Sequence, residues 1–342
     1  MRLMDEVIEN RLLSAWADLL PRAPNQLGAI HQSDCELVPL GRDRLLALTV
    51  DTIAEELRCG LYRSAVTGGR VAACAALSDL AAVGADPTGI LLSVSLPAAN
   101  AATTQAEVAT GVRQVCVAAG VSVLGGDTNE GPNLEITCVG VGTVPPPRPL
   151  TRVGARAGDF IFASGPLGIG GALAASRLLD LPGPRYAETN YRPQVRLAEG
   201  RSLRALASAC MDTSDGLLAT LDQLARINDL GLRITRPLPQ LLEPQVESWR
   251  RAVSLPAFPL LACHHGEYEL VFTVPESRLD ALRCVARGLG WEPVLVGHAE
   301  PGKGLFVRDV EVDGAFIRNL PAQTGGDSAA TLDTLLALGV SD

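Results

Sequence analysis

Apolar positions along the chain fall into two kinds of run that alternate with one another. Short runs of aliphatic and β-branched residues predict strands, at 45–50, 90–96, 121–124, 136–144, 159–163, 209–211, 232–234, 269–274 and 293–296. Longer Ala- and Leu-rich runs with helical spacing predict helices, at 2–20, 68–83, 104–119, 193–207, 217–227 and 277–288, with one more ending at Leu179. Strands that alternate with helices throughout indicate an α/β or α+β fold class.

A proline cluster at 145–147 interrupts this alternation near the middle of the chain. The length of 342 residues favours about two domains. We therefore expect an N-terminal domain over residues 1–148 and a C-terminal domain over residues 149–342.

The composition excludes several classes of protein. A net charge of −9 argues against a nucleic-acid binder, which needs a basic face. The longest uncharged stretch, 87–106, holds two prolines and several polar residues, so no membrane-spanning helix is expected. The eight cysteines are scattered without a C-x-x-C pair, which argues against a zinc ribbon or a disulfide framework. The N-terminus shows no signal peptide, and we expect a cytoplasmic protein.

Aspartates recur where predicted strands end and predicted helices begin. Asp51, Asp127 and Asp212 follow apolar runs or their glycine turns, and Asp79 follows an apolar helical run. Asp34 precedes a strand, and Asp215 begins a helix. Ligand groups of α/β proteins are commonly found at such positions. Because gathered carboxylates repel one another, we expect them to hold a hard cation such as Mg²⁺ together with phosphate oxygens.

Each of these aspartates also has a purely structural explanation, since Asp and Ser ordinarily cap helices and turns. The phosphate site is not of a common kind, because the chain contains no G-x-x-x-x-G-K-[ST] motif. The segment Gly165-Pro166-Leu167-Gly168-Ile169-Gly170-Gly171 either holds an anion on its backbone N–H groups or is only a tight turn. The chain has a single lysine, Lys303, so arginine, metal and backbone groups must contact phosphate.

Five motifs resemble those of bacterial thiamine-monophosphate kinases, in the order and with the spacing of that family. They are Leu77-Ser78-Asp79-Leu80-Ala81-Ala82-Val83-Gly84-Ala85-Asp86-Pro87, Gly125-Gly126-Asp127-Thr128, Leu150-Thr151-Arg152-Val153-Gly154-Ala155-Arg156-Ala157-Gly158-Asp159, Asp212-Thr213-Ser214-Asp215-Gly216-Leu217 and Tyr268-Glu269-Leu270-Val271-Phe272-Thr273-Val274. The wider superfamily includes aminoimidazole-ribonucleotide synthetase and selenophosphate synthetase.

The resemblance implies a two-domain aminoimidazole-ribonucleotide-synthetase-like fold. It has an N-terminal α/β domain that binds ATP and Mg²⁺ and a C-terminal α+β domain, and strands of the N-terminal domain pair into a barrel in a homodimer. By position, the metal-side residues would be Asp34, Thr49, Asp51, Asp79, Asp127, Asp212 and Asp215. ATP would contact Gly126, Arg152 and Ser214.

The departures from the family pattern concern the acceptor side, where the resemblance places Arg58, Gly266, Glu267 and Tyr268. Arg58 stands where the family has His, and Gly266 where it has Glu; Ser33 replaces one aspartate of a Gly-Asp-Asp motif. Losing that Glu and placing Arg58 nearby would reverse the local charge and favour an anionic or amide-bearing acceptor. Alternatively, Arg58 binds the acceptor's phosphate or is solvated.

Three hypotheses follow. The first is an ATP- and Mg²⁺-dependent kinase of a small-molecule acceptor, without an assigned general base. The second keeps the fold but uses ATP to activate an amide or carboxylate oxygen in a synthase or dehydratase reaction. The third is a non-catalytic nucleotide-binding relative. A zinc site at Cys263-His264-His265 is not expected, because consecutive side chains point in different directions.

Overall fold

Two sheets, one from each half of the chain, organise the molecule and confirm the predicted mixed fold class. A computed structural model describes residues 3–145 and 149–338. The predicted domain boundary between residues 148 and 149 touches positions 146–148, which lie outside the described residues, so it stays a prediction. No helix in the described ranges is long and apolar enough to cross a membrane.

The N-terminal sheet has five strands in the order β1-β2-β5-β3-β4. They are β1 (Glu36–Pro39), β2 (Leu45–Thr52), β3 (Asp86–Pro97), β4 (Val123–Gly131) and β5 (Glu135–Val144). Only β3 and β4 pair in parallel; the other pairs are antiparallel. The helices of this half are α1 (Ile8–Leu19), α2 (Ala54–Arg58), α3 (Ala65–Ala82) and α4 (Ala101–Ala119), with a 3₁₀ turn at Leu3–Glu6.

The Ala-rich helix α3 is the centre of the molecule. It packs on β2 and β5 of the N-terminal sheet and also contacts the edge of the C-terminal sheet. Its residues are buried nearly all round, which is typical of a helix enclosed by two layers. On β5, side chains alternate, so that Ile136 and Cys138 point into the core below α3 while their neighbours are only half-buried.

The C-terminal sheet has seven strands in the order β12-β11-β8-β10-β6-β9-β7. They are β6 (Phe160–Ala163), β7 (Ala209–Asp212), β8 (Gly231–Ile234), β9 (Leu270–Val274), β10 (Val294–Glu300), β11 (Gly304–Val307) and β12 (Val310–Val312). The helices are α5 (Ile169–Leu178), α6 (Leu197–Leu203), α7 (Leu217–Asn228), α8 (Pro244–Ala252), α9 (Phe258–Ala262), α10 (Leu279–Leu289), α11 (Gly314–Gln323) and α12 (Ser328–Ala337). Further 3₁₀ turns lie at Glu188–Asn190, Leu238–Gln240 and Glu276–Arg278.

Most predicted elements differ from the observed ones in their bounds, and two of these differences bear on the site or on a proline. The strand predicted at 121–124 is β4, which runs through the glycine pair to Gly131, because hydrogen bonds to β3 hold that segment extended. Asp127 therefore lies within a strand rather than after one. The helix predicted at 193–207 is shorter, α6, and Pro193 lies in the irregular segment before it.

The first helix, α1, meets α11, the last helix but one, over the C-terminal domain. The backbone N–H of Ile8 donates to Asn319 Oδ1 over 2.8 Å, and Asn319 Nδ2 donates to the carbonyl of Glu6 over 2.9 Å. Asn10 is fully buried and donates to Gln223 on α7. These contacts place α1 and α11 side by side at the edge of the candidate active site.

Candidate active site

Carboxylates from three separate segments converge beside α3. Asp34 lies just before β1, Asp79 lies on α3, and Asp212 ends β7. Each offers one oxygen, and these three oxygens lie within 4.8 Å of one another. The contact of α3 with β7 is what joins residues that are far apart in the sequence.

Strand β2 adds an oxygen-bearing edge to this cluster. Thr49 and Asp51 are two residues apart, so both point to the α3 side of the sheet. Thr49 Oγ1 donates a hydrogen bond to Asp79 Oδ2. Asp51 Oδ2 is buried and has no hydrogen-bond partner, and the same holds for Asp34 Oδ2.

Asp212 is held in place by two serines. Ser78 Oγ donates to Asp212 Oδ2 over 2.6 Å, and Ser214 Oγ donates to Asp212 Oδ1 over 2.9 Å. Ser78 precedes Asp79 on α3, so one turn of this helix both supplies a carboxylate and orients another. The side chain of Ser214 is therefore engaged with a carboxylate at the cavity wall.

Burial and mutual repulsion raise the pKa values of these acids. Burial raises the pKa of Asp51 to about 7 and that of Asp212 to about 6, with neighbouring aspartates acting in the same direction. Burial, followed by the charge of Asp51, raises the pKa of Asp79 well above its usual range. Converging carboxylates with unpartnered buried oxygens form the donor set that a hard cation prefers, so these residues fit Mg²⁺.

Arg152 lies against this cluster. Its guanidinium donates to Asp34 Oδ1 over 3.0 Å, while its Nε is buried and has no hydrogen-bond partner. The hydroxyl of Ser33 is likewise buried and unpartnered. The position at which the family's aspartate is replaced thus still offers a polar atom next to Asp34.

Several residues of this cluster line a cavity of about 300 Å³, which we call the acidic cavity. Its walls include Asp51, Asp79, Arg152, Ser214, Asp215 and Tyr268. Tyr268 is buried in a left-handed backbone conformation, φ 61°, and its carbonyl accepts from Ser78 Oγ over 3.4 Å. Burial, followed by the charge of Glu9, raises the pKa of Asp215 to about 6.

A second cavity, of about 420 Å³, adjoins the acidic cavity. We call it the terminal-helix cavity, because α1, α11 and α12 form much of its wall. Leu12, Leu61, Leu178 and Leu332 give it an apolar lining. Five residues line both cavities, namely Glu9, Glu56, Asp215, His264 and Arg318.

The structure places two predicted residues away from the acidic cavity. Gly126 and Asp127 lie on the exposed edge strand β4, and Asp127 Oδ2 accepts from Asn129 Nδ2 over 2.7 Å. A Cβ at position 126 would lie 2.0 Å from the carbonyl oxygen of Leu92, so glycine is required there for close pairing with β3. Within the described chain, Asp127 does not join the other carboxylates.

Arg58 lines neither the acidic cavity nor the terminal-helix cavity. It ends α2, is exposed, and its Nε donates to the carbonyl of Ala54 over 3.2 Å. It lines a separate cavity of about 460 Å³, together with Arg63 and Glu107. The expectation that Arg58 lies near Gly266 and reverses the charge of the acceptor side therefore stays a prediction.

Gly266 and Glu267 have packing roles in the structure. A Cβ at position 266 would lie 1.5 Å from the carbonyl oxygen of Thr213, so this backbone accepts no side chain there. Glu267 is buried, and its Oε2 accepts from the backbone N–H of Gly168 over 2.7 Å at the start of α5. Burial raises the pKa of Glu267 to about 8, and the backbone N–H groups of Gly168 and Gly170 oppose this shift. The glycine-rich segment is thus a turn whose anion is a carboxylate of the same chain.

Several residues of the site had no signal in the sequence. Glu56, Arg318 and Glu9 belong to no motif, and His264 stood out only as a zinc candidate. The guanidinium of Arg318 donates to Gln223, to Glu9 Oε2 over 3.2 Å and to Asn10 Oδ1 over 3.3 Å. Only the packing of the two chain ends brings these groups to one wall.

Comparisons with known proteins agree with this geometry. The family model for AIR synthase related protein, N-terminal domain, matches residues 32–144, and the one for the C-terminal domain matches residues 156–310. The thiamine-monophosphate kinase of Escherichia coli (strain K12) is 33% identical over 287 residues, which cover 81% of this chain and 86% of that protein. The thiamine-monophosphate kinase of Halobacterium salinarum is 33% identical over 246 residues, covering 71% of this chain and 81% of that protein.

Solved structures show the same fold. The crystal structure of tt0281 from Thermus thermophilus superposes with a TM-score of 0.75 at 26% identity, covering 89% of this chain and 97% of that one. AaThiL complexed with AMPPCP and TMP superposes with a TM-score of 0.73 at 24% identity, covering 92% and 97%. The resemblance inferred from the five motifs is confirmed: the chain belongs to the AIR synthase related proteins and, among them, to the thiamine-monophosphate kinase family.

Proposed function

We propose that this protein is an ATP- and Mg²⁺-dependent kinase that transfers the γ-phosphoryl group of ATP to thiamine phosphate. The convergence of Asp34, Asp79 and Asp212 beside Arg152 is the observation that carries the proposal. Phosphoryl transfer depends mainly on positioning and on the neutralisation of phosphate charge, which metal-binding carboxylates and a fixed arginine supply. The names of the relatives supply the reaction, and a kinase reaction of this kind uses ATP and Mg²⁺.

The chain's own groups have distinct tasks in this reaction. Asp34, Asp51, Asp79, Asp212 and Asp215, with Thr49, would hold Mg²⁺, which when bound neutralises charge on the transferred phosphoryl group. Arg152, with its free Nε, would contact a phosphate oxygen. An oxygen of the acceptor's phosphate forms the new bond to the γ-phosphorus, the bond from the γ-phosphorus to the β–γ bridging oxygen breaks, and ADP leaves. A phosphate oxygen is already ionised, so the chain needs no general base.

The terminal-helix cavity supports a cationic acceptor. Glu9, Glu56 and Asp215 line it, against one arginine, Arg318, whose guanidinium is engaged by other side chains. An anionic ring would be repelled there, whereas the positively charged thiazolium ring of thiamine phosphate would be attracted. The anionic or amide-bearing acceptor expected from Arg58 is therefore not part of this proposal.

Product analysis tests the function. The purified protein is incubated with ATP, MgCl₂ and thiamine phosphate, and products are separated by anion-exchange chromatography and identified by ³¹P NMR. We expect thiamine diphosphate and ADP in equal amounts, and no transfer to unphosphorylated thiamine. Free phosphate with a condensed product would support a synthase instead, and ATP binding without turnover would support a non-catalytic relative.

We also propose that the protein is a homodimer joined through its N-terminal sheet, working in the cytoplasm, where ATP and phosphorylated vitamins are available. Strand β4 is an exposed edge, and Val123 and Leu124 on it are about half exposed. On β2 of the same sheet, Val50 is 65% exposed. Apolar side chains on an uncovered edge strand favour pairing with another chain, and such pairing would also cover Asp127.

Light scattering coupled to size-exclusion chromatography tests the dimer. We expect twice the chain mass of 35.8 kDa for the natural protein. Val123→Asp should reduce the mass to that of one chain, because it buries a charge in the interface. Val117→Asp is the matched control, since Val117 is 73% exposed on α4. A natural protein of single-chain mass at micromolar concentration would contradict the proposal.

A further inference from the structure

Glu56, a carboxylate between the two cavities, takes no part in the phosphoryl transfer itself. Glu56 lies on the short helix α2 and lines both the acidic cavity and the terminal-helix cavity. Its Oε2 is buried and makes no hydrogen bond. Buried carboxylate oxygens are ordinarily paired, because removing them from water without a partner costs free energy.

No cation in the described chain forms an ion pair with Glu56. Arg58, on the same helix, is bonded to the carbonyl of Ala54 and lines a different cavity. Arg318, the arginine of the terminal-helix cavity, is engaged by Glu9, Asn10 and Gln223. Burial is the main cause that raises the pKa of Glu56, and the anionic Glu55 and Asp51 raise it as well.

His264 provides a second, independent sign that this wall receives a ligand. Both of its ring nitrogens are buried and unpartnered, and it too lines both cavities. Burial, followed by the charge of Arg318, lowers its pKa to about 4, so the ring is neutral at pH 7. A neutral imidazole with two free nitrogens offers one donor and one acceptor to a bound heterocycle.

The backbone explains why a carboxylate is needed at this place. The family pattern has a substrate-side Glu at the position of Gly266, and the structure leaves no room for any side chain there. The chain therefore cannot present a carboxylate from position 266, and the carboxylate of the adjacent Glu267 accepts from the Gly168 N–H. Glu56 presents one from α2 into both cavities, whose shared wall includes His264, two residues before Gly266.

We propose that Glu56 determines acceptor specificity by pairing its carboxylate with the positively charged ring of the acceptor in the terminal-helix cavity. This inference rests on the proposed function and adds the residue that selects a cation. The apolar walls at Leu12, Leu61 and Leu332 accommodate the ring, Glu56 attracts its charge, and His264 contacts its polar substituents. The phosphate end of the acceptor then lies toward the acidic cavity, because the two cavities share these walls.

Calorimetric binding of two ligands tests this assignment on the full-length protein with MgCl₂. The ligands are thiamine phosphate, whose ring is cationic, and its analogue with an uncharged ring of the same shape. We expect Glu56→Gln to weaken the binding of thiamine phosphate by about tenfold or more, since losing one member of a buried charge pair costs at least that factor in affinity. Binding of the neutral analogue should change by less than about twofold.

Glu55→Gln is the matched control, because Glu55 carries the same charge on the same helix but is exposed and lines only the terminal-helix cavity. Glu55→Gln should weaken the binding of thiamine phosphate by less than about threefold, as expected of an exposed charge. Equal effects of the two substitutions would overturn the assignment. The assignment would also be overturned if Glu56→Gln lost the same factor in affinity for both ligands, or if it bound thiamine phosphate as tightly as the natural protein does.

Two further readouts separate this inference from the proposed function. If Glu56→Gln shifts the Mg²⁺ concentration for half-maximal activity and leaves the KM for thiamine phosphate unchanged, Glu56 is a metal ligand and the inference is wrong. If the natural protein binds thiamine phosphate but does not phosphorylate it, the kinase proposal fails and the specificity role of Glu56 stands. If it binds neither thiamine phosphate nor the analogue, both are overturned.

Discussion

The acidic cavity and the terminal-helix cavity share a wall, yet they are built in different ways. The acidic cavity takes several of its carboxylates from the end of β2, from the buried helix α3 and from the turn after β7. The terminal-helix cavity takes most of its wall from α1, α2, α11 and α12, which are surface helices, most of them near the chain ends. Side-chain hydrogen bonds join the carboxylates beside the acidic cavity, whereas hydrogen bonds between the two chain ends hold α1 and α11 together beside the terminal-helix cavity.

This difference assigns phosphoryl transfer to the acidic cavity and acceptor selectivity to the terminal-helix cavity. The transfer of a phosphoryl group requires the same cation site whatever the acceptor, so its carboxylates lie in recognisable motifs on core elements. Acceptor recognition depends on the charge and shape of one molecule, and surface helices can change both without disturbing the core. The family's acceptor residues are changed here, and Glu56 and His264 lie at the wall between the two cavities.

The strongest test of the acidic cavity is the substitution Asp79→Asn. It removes a carboxylate from the centre of the cluster, and we expect ATP-dependent turnover to fall by about a hundredfold or more. The measurement is the rate of ADP release at saturating Mg²⁺. Asp86→Asn is the control, because Asp86 carries a half-exposed carboxylate at the start of β3, and it should keep near-normal turnover. Full activity in Asp79→Asn would remove the metal assignment.

Restoring the family's glutamate tests the acceptor side. Gly266→Glu should not regain any acceptor contact but should destabilise the fold by about 3 kcal/mol, because its Cβ would overlap the Thr213 carbonyl. Chemical denaturation gives this free energy of unfolding. Gly288→Glu, on α10 with nothing within 4 Å of its Cβ position, should cost well under half as much. Equal stability of the two variants would show that the loop around Gly266 can rearrange.

The charge of the acidic cavity predicts a dependence of stability on pH. The pKa of Asp51 is raised from 3.8 to about 7 in the folded protein, so its contribution to stability is fully present below about pH 4 and is lost as the pH rises through 7. Without Mg²⁺, Asp51→Asn should therefore melt at the same temperature as the natural protein near pH 4 and at a higher one at pH 8.

Added Mg²⁺ should reverse this order at pH 8, because an ion that binds only the folded state stabilises it. Thermal melts of both proteins with EDTA and with MgCl₂ provide the comparison. If Mg²⁺ raises the melting temperature of Asp51→Asn as much as that of the natural protein, Asp51 does not hold the ion.

The smallest effect is expected at Arg58. Arg58→Ala should change the KM for thiamine phosphate by less than about twofold, because the side chain is exposed and faces a cavity separate from the other two. Steady-state kinetics at fixed ATP supplies the value. A tenfold rise in KM would place the acceptor in the cavity beside Arg58 and would contradict its assignment to the terminal-helix cavity.

The sequence predicted most of the core and most of the carboxylates that gather beside α3. Apolar spacing identified α3, α4, β3 and β5 nearly in full, because these elements are buried on regular faces. It missed β11, β12, α11 and α12, which are short or half exposed and have weak periodicity. Asp34, Asp51, Asp79 and Asp212 were identified from their places at element ends, whereas the packing roles of Gly266 and Glu267 depend on close contacts that no spacing reveals.

The sequence by itself determined the alternating class of the fold, the family, and the residue types available for cation and phosphate. Those properties are local, since each motif needs only its own neighbours along the chain. Only the tertiary structure decided which carboxylates meet, that Asp127 lies on an exposed edge, that Arg58 lines a separate cavity, and that Glu56 Oε2 is buried without an ion pair. Those facts depend on α3 joining two sheets and on the two chain ends packing together, which are contacts between residues up to about three hundred positions apart.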